Sequence, residues 1–146
     1  MGDVVRYAEV GPLAVKIAEQ FLPGPLTLVL RAKSTVPASR QATDRTIGFR
    51  ISSDPFAQQL IAEFMAEYNA PLTCTSANVS GLLALATPAA ILTQFGERAS
   101  MVERVIDDGP RAGAASTVVR IIGNELDIIR EGSISAAALL AAAGKK

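Results

Sequence analysis

The sequence predicts an α/β fold, with a twisted, open sheet of mixed parallel and antiparallel strands and flanking helices. Three observations lead there. Amphipathic segments with helix-start signals alternate with short β-prone runs. Proline and glycine punctuate the joins between them. Gly123-Asn124 links two β-prone runs as a tight hairpin, which forces an antiparallel pair and argues against a purely parallel doubly wound sheet.

Taken in order, residues 11–22 read as a helix, because Leu13, Ile17 and Phe21 recur at four-residue spacing with Ala14 and Ala18 beside them. Pro12 suits the first turn, and Pro23-Gly24-Pro25 stops the helix. Leu26 to Arg31 is an apolar, β-prone strand. Residues 33–45 are polar and turn-rich and read as an exposed loop. Thr46 to Ile51 is a second strand, with Arg50 inside it. Asp54 caps the next helix and Pro55 opens it; Phe56, Leu60, Ile61, Phe64, Met65 and Tyr68 mark a face expected to be buried. Asn69 and Pro71 end it. A short strand is expected over Leu72 to Thr75. Thr87-Pro88 repeats the capping signal for a helix with Ile91, Leu92 and Phe95 on its apolar face. Val102 to Ile106 reads as a strand. So does Ser116 to Ile122, which the hairpin returns along Leu126 to Arg130. Ser135 caps an alanine-rich last helix whose core contacts are expected to be Leu139 and Leu140.

The chain has 146 residues, which by length is one domain with enough material for a core. Fourteen basic residues balance fourteen acidic ones, so there is no chain-wide basic field for gripping nucleic acid. There is no histidine and one cysteine, Cys74. A Ser-His-Asp triad, a Cys-His pair and a histidine-based zinc site are therefore excluded. A lone cysteine cannot form an internal disulfide and fits a reducing compartment. No apolar run reaches the roughly 18 residues of a membrane span. The N-terminus lacks a signal-peptide pattern, so a cytoplasmic location is expected.

Four features could carry chemistry. Pro23-Gly24-Pro25 is either a rigid turn or a place where a ligand approaches the backbone. Arg50, in an apolar strand, either faces water or grips a carboxylate or phosphate with its planar fork. Thr75-Ser76-Ala77-Asn78-Val79-Ser80-Gly81 is either a Ser/Asn-rich turn or an uncharged polar pocket at a strand end. Arg130, at the end of the hairpin beside the Ser116 strand, is either a solvated strand end or an anion-binding group.

In order and spacing, these segments resemble the YrdC-like family. FLPGPLTLVL is similar to its Trp-Pro-Gly-Pro-Leu-Thr block, with Leu22 for tryptophan. TIGFRIS resembles its Thr-x-x-x-Arg strand, and Thr75 to Gly81 its Ser-Ala-Asn-x-Ser-Gly signature. IDDGPRAGAASTVV resembles its Asp-Gly-Gly…Ser-Thr-Val segment with Pro110 for the second glycine, and IIREGSIS its Leu-Arg-x-Gly ending. The resemblance implies an enzyme that joins L-threonine, bicarbonate and ATP into threonylcarbamoyl-adenylate and pyrophosphate for N6-threonylcarbamoyladenosine on tRNA. By motif, Arg50, Ser76 and Ser116 would hold threonine. Thr46, Asn78, Thr87 and Arg130 would contact ATP, with Mg²⁺ balancing the polyphosphate. The resemblance assigns no catalytic nucleophile. Expected partners are tRNA-modification enzymes. The alternatives are an RNA-binding, translation-related module and a carbamoyl-transfer domain without this activity. Family members also open with Pro-Thr-x-Thr-x-Tyr-Gly-Leu and Lys-x-Arg-Pro segments before the Pro-Gly-Pro block. Here 22 residues precede Pro23 and neither motif is among them. A domain over residues 1–146 lacking that segment is therefore expected, with an exposed sheet edge or core surface, weak ATP binding and slow or no turnover.

Overall fold

A computed structural model describes residues 2–111 and 113–145. They cluster into two compact units, Met1–Asn69 with Ala114–Lys146, and Ala70–Gly113.

The first unit is built on a four-stranded sheet. Its strands are β1 (Leu26–Arg31), β2 (Thr46–Phe49), β3 (Thr117–Ile122) and β4 (Glu125–Arg130), in the spatial order β2-β1-β3-β4. β1 runs parallel to β3, and the two outer pairs are antiparallel. This is the mixed sheet the hairpin demanded. Helices α1 (Pro12–Phe21), α2 (Pro55–Tyr68) and α4 (Ala136–Ala143) belong to this unit, and α3 (Pro88–Phe95) to the other.

Alternation along β1 decides which face is core. Leu26, Leu28 and Leu30 are fully buried, and each contributes roughly 2 kcal/mol of apolar burial. They pack with Ala14, Ile17 and Ala18 of α1, Val119 and Ile121 of β3, and Leu139 and Ala142 of α4. The two alanines let α1 lie close to the sheet. In α4, Leu139 is core but Leu140 is only half-buried; the second contact is Ala142. Neighbouring helical positions point about 100° apart, whereas residues three apart share a face.

Four further expectations are corrected here. The apolar stripe of α2 has no buried residue, and Phe56, Leu60 and Tyr68 are exposed. A periodic stripe shows which face can be buried, and only a partner buries it. Asp54 does cap α2, accepting from Ala57 N at 2.9 Å, and Asn69 ends it in the left-handed conformation. Leu72 to Thr75 and Val102 to Ile106 form no strand. Each is β-prone, but a strand exists only where a neighbour supplies a hydrogen-bonded ladder, and neither has one among the described residues. Finally, β2 ends at Phe49, so Arg50 lies beyond the ladder.

The second unit carries α3, capped by the Thr87 hydroxyl, which accepts from Ala90 N at 3.3 Å. A 3-10 segment, Gly96–Met101, follows. No helix of the described residues is long and apolar enough to cross a membrane.

Candidate functional site

The residues opposite the core face of the sheet are Thr27, Val29 and Arg31 on β1, Thr46 and Gly48 on β2, Val118, Arg120 and Ile122 on β3, and Glu125, Asp127 and Arg130 on β4. Most of them are polar or charged. The side chains expected to bind ligand in this unit belong to this face or border it.

One constellation gathers at a single end of the sheet. Because the sheet is mixed, that end collects the starts of β1 and β3 and the finishes of β2 and β4. Pro25 O accepts from Thr117 N at 2.9 Å on one side, and Gly24 N donates to Ile51 O at 2.9 Å on the other. The Pro-Gly-Pro turn is thus tied to the backbone beside Ser116 and to the backbone beside Arg50. Arg50 is exposed and has no hydrogen-bond or ion-pair partner among the described residues. Ser116 is buried, with its hydroxyl 3.3 Å from that of Thr27. Arg130 reaches over it, donating from Nη2 to Ser116 O at 2.9 Å and to Ser116 Oγ at 3.4 Å, and from Nε to Ser116 O at 3.3 Å. A guanidinium has five N–H donors, so Arg130 keeps donors for a ligand. A β-bulge makes this geometry. Val119 faces Ile128 but Val118 faces Arg130, leaving Ile129 as the extra residue.

The corner is held by Thr117, which is fully buried. Its hydroxyl donates to Ile134 O at 2.7 Å and accepts from Gly132 N at 2.9 Å and Ile134 N at 3.0 Å. Gly132 is needed for close approach: a Cβ there would collide with the Ala115 carbonyl oxygen. Gly24 has the same cause, since a Cβ would collide with the carbonyl oxygen of Phe21. Protein backbone therefore accounts for the glycine of the Pro-Gly-Pro turn without any ligand.

A second constellation lies at the other end of β2, about 13 Å from Arg50 along the strand at 3.3 Å per residue. Here a groove of about 440 Å³ has Val29 and Gly48 in its floor and Arg40, Asp44, Thr46 and Arg120 around it. The Thr46 hydroxyl donates to Asp44 Oδ1 at 2.6 Å, and Thr46 N donates to the same oxygen at 3.2 Å. Arg120 bridges Asp44 Oδ2 at 3.3 Å and Asp127 Oδ2 at 2.7 Å. The Thr46 hydroxyl holds the Asp44 carboxyl below the usual carboxylate range, helped by Thr46 N–H and Arg120 and opposed by desolvation. A carboxyl lowered in the folded state adds stability that is fully present above the ordinary aspartate pKa of about 3.9 and fades as pH falls through the folded value. Asp44→Asn should therefore lower the Tm at neutral pH, and the gap to the parent should narrow at about pH 3. Equal gaps in thermal melts at both pH values would sink this.

The remaining expected residues belong to the second unit. Ser76 is exposed, and its carbonyl accepts from Asn78 N at 3.0 Å. Asn78 donates its side-chain amide to Val79 O at 3.0 Å and Leu82 O at 2.9 Å, which leaves Oδ1 as its open group. Thr87 is the cap of α3. Sequence reasoning named Thr27, Thr117 and Gly132 only as members of motifs, without a role, and passed over Asp44 and Arg120. Thr27 had a signal, being polar where β1 alternates away from its buried leucines, and so did Asp44, two residues before a threonine.

Fold and side chains together define an α/β protein whose mixed sheet carries arginines and hydroxyls along one face. A family model for Sua5, YciO and YrdC proteins, described as telomere recombination, matches residues 1–132, and the chain belongs to that family. A Methanocaldococcus jannaschii protein assigned as a threonylcarbamoyl-AMP synthase is 37% identical over 133 residues, covering 90% of this chain and 58% of the relative. The Vibrio cholerae threonylcarbamoyl-AMP synthase is 30% identical over 110 residues, covering 75% and 54%. The chain thus spans little more than half the length of these two curated relatives. P. abyssi Sua5, solved in complex with L-threonine, superposes with a TM-score of 0.83 at 26% identity, covering 99% of this chain and 41% of that one. E. coli YciO shares the fold at a TM-score of 0.73 and 23% identity, covering 95% and 65%.

Proposed function

We propose that this chain binds L-threonine and ATP and serves in the cytoplasmic synthesis of threonylcarbamoyl-AMP and pyrophosphate from L-threonine, bicarbonate and ATP, for N6-threonylcarbamoyladenosine on tRNA. The observation that carries the reading is the sheet end where an unpartnered Arg50 and the Ser116–Thr27–Arg130 group flank one turn. Kinship with a Sua5 solved with L-threonine supports it.

In this reading Arg50 pairs with the threonine carboxylate, for which a planar fork is suited. Ser116 and Ser76 orient the amino acid's polar groups. Arg130 takes phosphate charge, and Thr46, Asn78 and Thr87 contact the nucleotide. The threonine amine and bicarbonate combine to a carbamate with loss of water; a carbamate oxygen then attacks the α-phosphorus in line as its bond to the bridging oxygen of the β-phosphate breaks, and pyrophosphate leaves. Such a step needs positioning and charge neutralisation rather than a protein nucleophile. Among the described residues no group of three or more His, Cys, Asp or Glu side chains could hold a metal, so Mg²⁺ would arrive as counter-ion of the polyphosphate, part of the substrate. The product would pass to the enzymes that modify tRNA.

Calorimetry with L-threonine tests the site, and pyrophosphate release dependent on ATP, threonine and bicarbonate tests the reaction. Arg50→Ala should weaken threonine binding at least about tenfold, because a charge-assisted bond to a carboxylate is lost. The melting temperature should barely change, because Arg50 is exposed and unpartnered. Ser76→Ala should weaken it less. Unchanged threonine affinity in both variants would sink the assignment. Salt-dependent tRNA binding without turnover would favour an RNA-binding module instead.

A further inference from the structure

The Thr46 hydroxyl has one hydrogen to donate and lone pairs with which to accept. Its hydrogen is directed at Asp44 Oδ1, 2.6 Å away, in a short bond of the charge-assisted kind. Asp44 is itself fixed. Thr46 N and Arg120 hold its two oxygens, Arg31 Nη1 donates to its carbonyl at 2.9 Å, and Arg120 is anchored in turn by Asp127. An aspartate that merely closed a tight turn would need only the backbone N–H; the hydroxyl bond is additional and sets the rotor. Thr46 is 3% exposed, at the wall of the groove. With its hydrogen committed, the hydroxyl is left with lone pairs alone to offer a ligand. A ligand atom that also accepts, such as a carbonyl or phosphate oxygen, would meet lone pair against lone pair. One that donates, such as an exocyclic amine or a sugar hydroxyl, would be matched.

We propose that Asp44 is a positioning residue that locks the Thr46 hydroxyl as an acceptor, so that the groove selects nucleotides presenting a hydrogen-bond donor at that point. The inference rests on the assignment of Thr46 to the nucleotide. The donor is either the amino group of the base or a ribose hydroxyl, and analogues tell them apart.

Calorimetry on the full chain would compare the magnesium complexes of ATP, inosine triphosphate, 2′-deoxy-ATP and 3′-deoxy-ATP. The parent should bind one of the three analogues about tenfold more weakly than ATP, the usual effect of losing one matched hydrogen bond in a site. Thr46→Ser should keep that preference and Thr46→Val should erase it. Asp44→Ala and Asp44→Ser, both too short to reach, free the rotor and should bring the preference within about threefold. A merely structural role for Asp44 would weaken all four nucleotides together and leave their ratios alone. If Thr46→Val loses the preference while both Asp44 variants keep it, the inference falls and the nucleotide assignment stands. No preference among the analogues in the parent also overturns it. No ATP binding by the parent, or full ATP affinity in Thr46→Val, overturns the assignment and the inference with it.

Discussion

Thr117→Val is expected to lower stability by about 3 kcal/mol and the Tm by roughly 6–12 °C, although the two side chains have nearly the same shape. The cost arises in the polar groups left behind. Thr117 is fully buried, and its hydroxyl satisfies Ile134 O, Gly132 N and Ile134 N together. Each buried group that loses its partner costs about 1–3 kcal/mol, and water reaching the half-buried Gly132–Ile134 loop offsets part of the sum. The loop that follows Arg130 should also loosen, so threonine affinity should fall with stability. Urea unfolding and calorimetry would measure both. A loss below about 1 kcal/mol would mean that the loop finds other partners.

Gly132→Ala is expected to cost about 2–3 kcal/mol and to damage the proposed ligand corner directly. The new methyl would collide with the Ala115 carbonyl oxygen and lie 2.7 Å from the carbonyl carbon of Ser116. Those obstacles are backbone, so no side chain can swing away. Relief requires moving the Ala115–Ser116 segment, whose carbonyl at Ser116 anchors Arg130 at 2.9 Å. Threonine and ATP affinity should therefore fall together, unlike in Arg50→Ala, where threonine binding alone should suffer. Parent-like affinities for both ligands in Gly132→Ala would show that the corner is not the binding site.

Thr117 and Gly132 both lie within the family motifs, yet neither side chain is of a type that suggests a ligand contact. Arg130 could be picked from the sequence as an arginine at a strand end before a glycine, and Ser116 through its place in the segment that resembles the family's Ser-Thr-Val motif. Their meeting depends on a bulge at Ile129, and nothing local in Asp127-Ile128-Ile129-Arg130 announces one. Asp44 was hidden in a polar loop for the same reason, since its bridge to Arg120 spans 76 positions of chain.

The sequence by itself determined the helix starts at Pro12, Pro55, Pro88 and Ala136, the hairpin at Gly123-Asn124, the core face of β1 and the absence of histidine chemistry. These follow from capping, turn chemistry and alternation, which act over a few residues. Tertiary structure alone decided which β-prone runs became strands, which apolar helix face was covered and which polar side chains met. Among the described residues, Leu72–Thr75 and Val102–Ile106 have the composition of strands without a ladder, and α2 has an amphipathic stripe that is at most half-buried. Pairing and burial are properties of two surfaces, and a single stretch of sequence describes only one of them.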